Sequence, residues 1–158
     1  MVPGPDDPPP MTVREIRPAD VADAVGLIEL GSLVPGKEDP ADAAAYRAAL
    51  EEIDRTPGNT VLVAELDGEV VGICQLIEFR HLQERGGRCA ELESVHVRPD
   101  QRSKGIGGLL VEAAAERARA GGCYRVQLTS NAARTDARRF YERHGFVPSH
   151  VGFKRSLR

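Results

Sequence analysis

The 158-residue chain has no tryptophan, and aromatic residues make up only 4% of it. Its three cysteines, Cys74, Cys89 and Cys123, are odd in number and lack the paired spacing of metal ligands, so neither a disulfide framework nor a metal site is predicted. No apolar run approaches the roughly 20 residues of a membrane span, and the N-terminus lacks the order of a signal peptide. The formal net charge of -3 argues against nucleic acid or an anionic membrane as a partner. We therefore expect a cytoplasmic protein without a bound metal.

Length and proline content predict the domain organisation. A chain of this length supports one domain with a sizeable core. Residues 1–10 contain five prolines and two aspartates, a composition that cannot bury apolar surface. We expect a disordered tail over 1–10 and a single domain over 11–158, with Met11 as an alternative start to Met1.

The hydrophobic pattern predicts alternating blocks of strands and helices. Asp67-Gly68 separates two β-branched runs and is a strong hairpin signal, so this pair is antiparallel. A later strand, helix and strand form one crossover unit, which requires a parallel pair. The predicted order is a strand over 12–17, helices from 18 to 31 and 42 to 55, strands over 60–66, 69–79 and 89–98, a helix ending at 121, a strand over 124–129, a helix over 135–144 and one or two strands over 146–156. This order predicts a mixed α/β (α+β) domain with about four helices and a mostly antiparallel sheet.

A glycine-rich turn at 102–108 joins the strand through Val95 and Val97 to the next helix. Glycine lets a ligand approach the backbone, and the first N–H groups of a helix bind anions. The spacing does not match a P-loop, which needs Gly-Lys-Ser/Thr. It also does not match a dinucleotide fingerprint, because Leu110 stands where the third glycine is required. The turn therefore predicts a phosphate site of another kind.

Two motifs resemble those of the GCN5-related N-acetyltransferase (GNAT) family. The first is Arg102-Ser103-Lys104-Gly105-Ile106-Gly107, and the second begins at Asn131 and continues through Asp136-Ala137-x-x-Phe140-Tyr141. The resemblance runs from about residue 12 to 156. It implies a fold in which two central parallel strands splay apart, and acetyl-CoA as the co-substrate.

The resemblance also implies which residues hold acetyl-CoA. The pyrophosphate would lie on backbone N–H groups at the start of the helix, and the pantetheine arm would pair with the edge of the preceding strand. The residues implied are Val95, His96, Val97, Arg102, Ser103, Lys104, Gly105, Ile106, Gly107, Gly108 and Asn131.

Tyr141 is the candidate general acid. It resembles the family tyrosine that meets the sulfur of CoA, and a phenol is protonated at neutral pH and can donate to a leaving thiolate. The alternative is that Phe140 and Tyr141 only pack on the inner face of their helix.

Glu93 and Glu91 are the candidate general bases. They are two residues apart, so alternation along a strand places both on one face together with Val95 and Val97, and turns His96 to the other face. His96 would then have a structural role. Amine deprotonation by solvent, without a protein base, is the remaining alternative.

The predicted reaction is direct transfer of acetyl from acetyl-CoA to a primary amine of a small molecule, through a tetrahedral intermediate. Two alternatives stay open: a protein or peptide N-acetyltransferase, and a non-catalytic acyl-CoA-binding regulatory module. A homodimer through the C-terminal strands is also possible, since many members of the family pair in this way.

Overall fold

Five extended segments pair into one sheet. In the computed structural model, which describes residues 10–158, these strands are β1 (Thr12–Glu15), β2 (Asn59–Leu66), β3 (Glu69–Arg80), β4 (Arg88–Val97) and β5 (Cys123–Gln127). Their spatial order is β1-β2-β3-β4-β5. All neighbouring pairs are antiparallel except β4 and β5, which are parallel. The mixed and mostly antiparallel sheet predicted from the sequence is confirmed.

Helices cover both faces of this sheet. They are α1 (Val21–Gly31), α2 (Ala43–Arg55), the single turn α3 (Gln83–Gly86), α4 (Ile106–Ala120) and α5 (Thr135–Arg143). The turn α3 lies between the predicted strands 69–79 and 89–98, where the sequence predicts no helix, and Glu84 and Arg85 in it have positive φ. The other four correspond to the predicted helices.

The core consists of two apolar layers, one on each face of the sheet. Alternate residues of the strands contribute to each layer, as the period of a strand requires. One layer packs Leu76, Leu92 and neighbours against Ile106 and Leu110 of α4. The other packs Val63 and Ile73 against α1 and α2. The glycine turn therefore connects two elements, β4 and α4, that pack against each other in this core.

The hairpin between β2 and β3 follows its sequence signal. Asp67 and Gly68 have φ of 54° and 78°, the conformation that a two-residue turn of this type requires. The pairing of Leu66 with Glu69 closes the hairpin directly.

The predicted closing strands are absent. Within the described residues no strand follows Gln127, and residues 147–158 are exposed throughout. Val147, Val151 and Phe153 are 78%, 78% and 93% exposed, so they have no buried face on which a strand could form. Residues 1–9 of the predicted tail lie outside the described residues, and the domain boundary stays a prediction.

Polar side chains in the fully paired part of the sheet bind one another. The guanidinium of Arg14 on β1 donates to Asp20 at 2.7 Å and to Glu65 at 2.6 Å. The backbone N–H of Arg17 donates to the same Asp20 carboxylate at 2.7 Å. These bonds tie β1 to the start of α1, and they lower the pKa of Asp20 to about 2, mainly through the hydrogen bond from Arg14.

A second polar cluster closes the N-terminal end of β4. Nε2 of His81 lies 2.8 Å from the hydroxyl of Tyr124 and 3.3 Å from the thiol of Cys89. The rings of His81 and Tyr124 stack with centroids 5.7 Å apart. Cys89 is completely buried. Each member of the cluster has a partner within it.

No helix among residues 10–158 is both long enough and apolar enough to cross a membrane.

Candidate functional site

A cleft opens where β4 and β5 separate. Their pairing ends at Glu91 and Gln127, so the rest of β4 has a partner strand on the β3 side only. The cleft has a volume of about 120 Å³. It is lined by Leu92, Glu93, Ser94, Val95, His96, Thr129, Ser130, Asn131, Arg134, Ala137 and Tyr141. The separation of β4 and β5 agrees with the splayed strands that the resemblance implies. The open edge of β4 offers free backbone donors and acceptors to an extended ligand.

A β-bulge at Ser94 changes which side chains face the cleft. Gln75 pairs with Glu93 and Ile73 with His96, so three steps along β4 match two along β3. Ser94 has a φ of 52°, which is strained for a residue other than glycine. The strict alternation expected from the sequence therefore fails at this position.

The bulge corrects two predictions of orientation. Val95 and Val97 pack with the α4 layer, and thus not on the face that carries Glu91 and Glu93. His96, opposite Ile73, lies on the same face as Glu93, whereas alternation predicts that it faces away. Glu93 and His96 both line the cleft, whereas Glu91, paired with Gln127, is not among its lining residues.

His96 is held in place by α1. It packs so closely on Gly31 that a Cβ at Gly31 would overlap Nδ1 of the imidazole. Burial lowers the pKa of His96, and the positive charges of Arg134 and Arg102 lower it further. The imidazole is therefore neutral at pH 7. Among the described residues it has no hydrogen-bond partner.

The glycine turn presents unpaired N–H groups. Ser103 and Gly105 have φ of 65° and 81°, and α4 begins directly afterwards at Ile106. The first N–H groups of α4 have no partner inside the helix, because the acceptors they need would lie before it begins. Arg102, Ser103, Lys104 and Gly105 are exposed, and the side chain of Arg102 donates to the carbonyl of Val97 at 3.3 Å. The turn can bind an anion through backbone donors with two cations beside it.

Each of the three positions in the turn requires glycine for a different physical reason. Gly105 needs its positive φ, and a side chain there would meet nothing within 4 Å. A Cβ at Gly107 would lie 3.1 Å from the Phe140 ring, and one at Gly108 would lie 2.7 Å from the His144 ring. Gly107 and Gly108 therefore allow α5 to pack on α4, a contact that the motif alone does not reveal.

This contact places Tyr141 at the cleft. Its neighbour Phe140 packs on Gly107, while Tyr141 lines the cleft and makes edge contacts with Phe140 and Phe146 at 5.1 and 5.7 Å between centroids. Burial raises the pKa of Tyr141, and Glu93 contributes in the same direction against Arg134. The phenol is thus protonated at neutral pH. Tyr141 therefore packs against aromatic neighbours and also lines the cleft, and its role as general acid stays a prediction.

Asn131 and Arg134 border the cleft on the β5 side. The side chain of Asn131 accepts from the N–H of Ala133 at 2.9 Å, so it shapes the turn before α5. Arg134 is half-buried and lines the cleft directly. The sequence does not reveal its inward position, because the arginines at 134, 138 and 139 fit one solvated helix face equally well.

Among residues 10–158 no group of three or more His, Cys, Asp and Glu side chains is arranged to hold a metal ion.

Comparisons with known proteins agree with this geometry. The model of the Acetyltransferase (GNAT) family matches residues 28–146. An aminoalkylphosphonate N-acetyltransferase of Salmonella typhimurium is 31% identical over 147 residues, 93% of this chain and 94% of the relative. Glucosamine 6-phosphate N-acetyltransferase 1 of Oryza sativa subsp. japonica is 32% identical over 143 residues, 86% of this chain and 82% of the relative.

A solved structure of a transcriptional regulator from Bacillus halodurans C-125 shares the fold with a TM-score of 0.88 and 34% identity, covering 93% of this chain and 99% of the other. The family model spans well over half of the chain, and two relatives above 30% identity are named N-acetyltransferases. The protein therefore belongs to the GNAT family of acetyltransferases and is an N-acetyltransferase.

Proposed function

We propose that the protein transfers the acetyl group of acetyl-CoA to a primary amine of a small molecule. The observation that carries this proposal is the surface formed by the open edge of β4 and Tyr141, next to the glycine turn, where Gly107 lies against Phe140 and Val97. One end of this surface suits a pyrophosphate, its middle suits an extended amide-containing arm, and its far end holds a protonated phenol beside a carboxylate.

Acetyl-CoA would bind mainly through the backbone. The N–H groups from Ser103 to Gly108 receive the pyrophosphate, with the exposed cations of Arg102 and Lys104 beside it. The pantetheine arm pairs with the free edge of Val95, His96 and Val97, because β5 no longer occupies that edge. Asn131 lies across the cleft within reach of the same arm.

The chemistry needs a hydrogen-bond donor to the oxyanion, a proton acceptor for the amine and a proton donor for the thiolate. The amine nitrogen attacks the thioester carbonyl carbon, and backbone N–H groups at the bulge stabilise the oxyanion of the tetrahedral intermediate. The C–S bond then breaks, and Tyr141 gives its proton to the thiolate of CoA. The attacking nitrogen gives up one proton, to a base of the cleft or to solvent. Glu93, the one of the two predicted carboxylates that lines the cleft, attracts the ammonium form of the acceptor.

The relatives suggest which amines to test. One is named for aminoalkylphosphonates, another for glucosamine 6-phosphate, and a third, from Pseudomonas paraeruginosa, for L-methionine sulfoximine and L-methionine sulfone. Each of these names denotes a small amine with an oxygen-rich acidic or polar group. We propose an acceptor of this class, whose acidic or polar group would bind Arg134, a cation that lines the cleft.

The second candidate is a regulatory role of acyl-CoA binding in addition to acetyl transfer. The observation that favours it is the similarity to the Bacillus halodurans protein, which is named a transcriptional regulator. Transfer to a peptide is a third candidate. The cytoplasmic location and the homodimer stay predictions.

A thiol-release assay separates these candidates. Purified protein is mixed with acetyl-CoA and each of four amines: aminomethylphosphonate, 2-aminoethylphosphonate, glucosamine 6-phosphate and methionine sulfoximine. Release of CoA that depends on one of these amines supports the proposal. Absence of turnover on all four amines would overturn the proposed acceptor class, and turnover on peptides alone supports peptide acetylation.

A further inference from the structure

Two side chains that can accept a proton line the cleft, and the bulge at Ser94 is the reason that both do. In a regular strand Glu93 and His96 would project to opposite faces, since three residues separate them. The extra residue at the bulge brings both to the face shared by Gln75 and Ile73. The two sequence motifs, at 102–107 and from Asn131 onward, do not indicate this arrangement.

We propose that His96 accepts the proton of the acceptor amine during acetyl transfer. The inference rests on the proposed function, because it assigns a base to that reaction. As the nitrogen forms its bond to the acetyl carbon, its N–H bond breaks and the proton moves to the imidazole. The thiolate of CoA takes the proton of Tyr141, and solvent then removes the proton from His96 and returns one to Tyr141.

The surroundings of His96 suit this role better than those of Glu93. Glu93 is exposed, whereas His96 is half-buried. The imidazole of His96 has no hydrogen-bond partner among the described residues. An imidazole is a stronger base than a solvated carboxylate, and a base works best when its conjugate acid titrates near the working pH. A ring without a partner is free to bond to the substrate.

The charged groups around His96 keep it neutral before the reaction. Arg134 at the start of α5 and Arg102 in the glycine turn oppose the imidazolium, and burial acts in the same direction. The carboxylate of Glu93 is the negative group of the cleft. On α1, Glu29 is bound to the N–H groups of Gly36 and Glu38 and so is engaged elsewhere.

Gly31 is the positioning residue for His96. The imidazole occupies the space that a side chain at position 31 would fill. Gly31 lies in α1 without a positive φ, and the three atoms nearest to a Cβ there all belong to the His96 ring, so an alanine strains this contact first. Gly26 of the same helix is the matched control, because a Cβ there would meet only Pro40 at an ordinary 3.9 Å.

The experiment compares His96→Gln, Glu93→Gln and the wild type in kcat and in the pH profile of kcat/KM, with the most active amine of the panel. In the wild type, kcat/KM falls on the acid side because His96 becomes protonated there. This fall is expected at a pH below the ordinary imidazole pKa of about 6.5. His96→Gln is expected to lower kcat by roughly 10²-fold and to remove this acid limb, with little change in the KM for acetyl-CoA. Glu93→Gln keeps the limb.

The glycine variants provide the second measurement. Gly31→Ala is expected to lower kcat in the same way, and to add little to the loss in the double variant with His96→Gln. Gly26→Ala retains the wild-type kcat. Loss of the acid limb in Glu93→Gln and its retention in His96→Gln would overturn the inference and leave the acetyltransferase intact. A wild type that turns over no amine would overturn the proposed function as well.

Discussion

The two ends of β4 each lie beside a histidine, and the two histidines differ in what surrounds them. At the N-terminal end β4 is paired on both sides, and His81 contacts both Cys89 and Tyr124. At the C-terminal end β5 has separated, and the imidazole of His96 has no hydrogen-bond partner among residues 10–158. Polar groups that satisfy one another stabilise a fold, whereas accessible unpaired groups are available to a ligand. The contrast locates function at the splayed end.

Two tyrosines test this contrast most strongly. Tyr141→Phe at the splayed end is expected to lower kcat by roughly 10²-fold, because the leaving thiolate loses its proton donor, while affinity for acetyl-CoA changes little. Tyr124→Phe at the paired end removes a hydroxyl of the same kind and should leave kcat as it is. Steady-state kinetics of both variants measure the difference. Equal rates for Tyr141→Phe and wild type would return Tyr141 to a packing role.

The next largest effect is expected at the glycine turn. Gly107→Val would press a branched side chain against the Phe140 ring, since even a Cβ would be only 3.1 Å away. It should weaken acetyl-CoA binding at least ~10-fold, because α5 and the start of α4 can no longer keep their present distance. Calorimetric titration with acetyl-CoA measures this loss, and Gly107→Ala should give a smaller one. Wild-type affinity in Gly107→Val would mean that the cofactor binds elsewhere.

Much of the fold away from the cleft could be predicted from the sequence, because the sequence signals for its turns and helices are local. Asp67-Gly68 specifies a hairpin whatever surrounds it, and the pattern of Ile106 and Leu110 identifies the inner face of α4. The order of elements follows from such signals. The sequence predicts one or two closing strands over 146–156, but a local pattern cannot show whether a buried face exists for Val151 or Phe153.

The splayed region was predicted less well, because its geometry depends on contacts between distant parts of the chain. The bulge at Ser94 has no glycine or proline to mark it, and it reverses the side-chain direction of every later residue in β4. The orientation predicted for His96 is wrong for this reason. Gly107 and Gly108 leave room for the rings of Phe140 and His144, which lie more than thirty residues later in the chain.

In the paired region, substitutions should change stability and not catalysis. Asp20→Asn removes the charge that binds Arg14 and should lower the free energy of unfolding by about 1–2 kcal/mol at pH 7, after allowance for solvent screening. The pKa of Asp20 is lowered to about 2 in the folded protein, so this stabilisation is present above its ordinary value and is lost as the pH falls toward 2.

Urea denaturation at several pH values checks the Asp20 prediction. The gap between the wild type and Asp20→Asn should be widest at neutral pH and should narrow as the solution is acidified. A gap that is constant down to pH 2 would show that the ion pair with Arg14 contributes little. Turnover of Asp20→Asn at neutral pH should equal that of the wild type, because β1 lies at the opposite edge of the sheet from the cleft.

The smallest effect is expected from Cys89→Ala at the paired end of β4. Cys89 is completely buried, and its replacement leaves a cavity of one sulfur atom and removes one of the two partners of His81. Loss of a single buried heavy atom of this size costs about 1 kcal/mol. Denaturant unfolding should show this decrease while kcat and the acid limb of the pH profile stay as in the wild type. A change in the profile would mean that the two ends of β4 are coupled, because a substitution beside His81 would then reach the surroundings of His96 through the strand that they share.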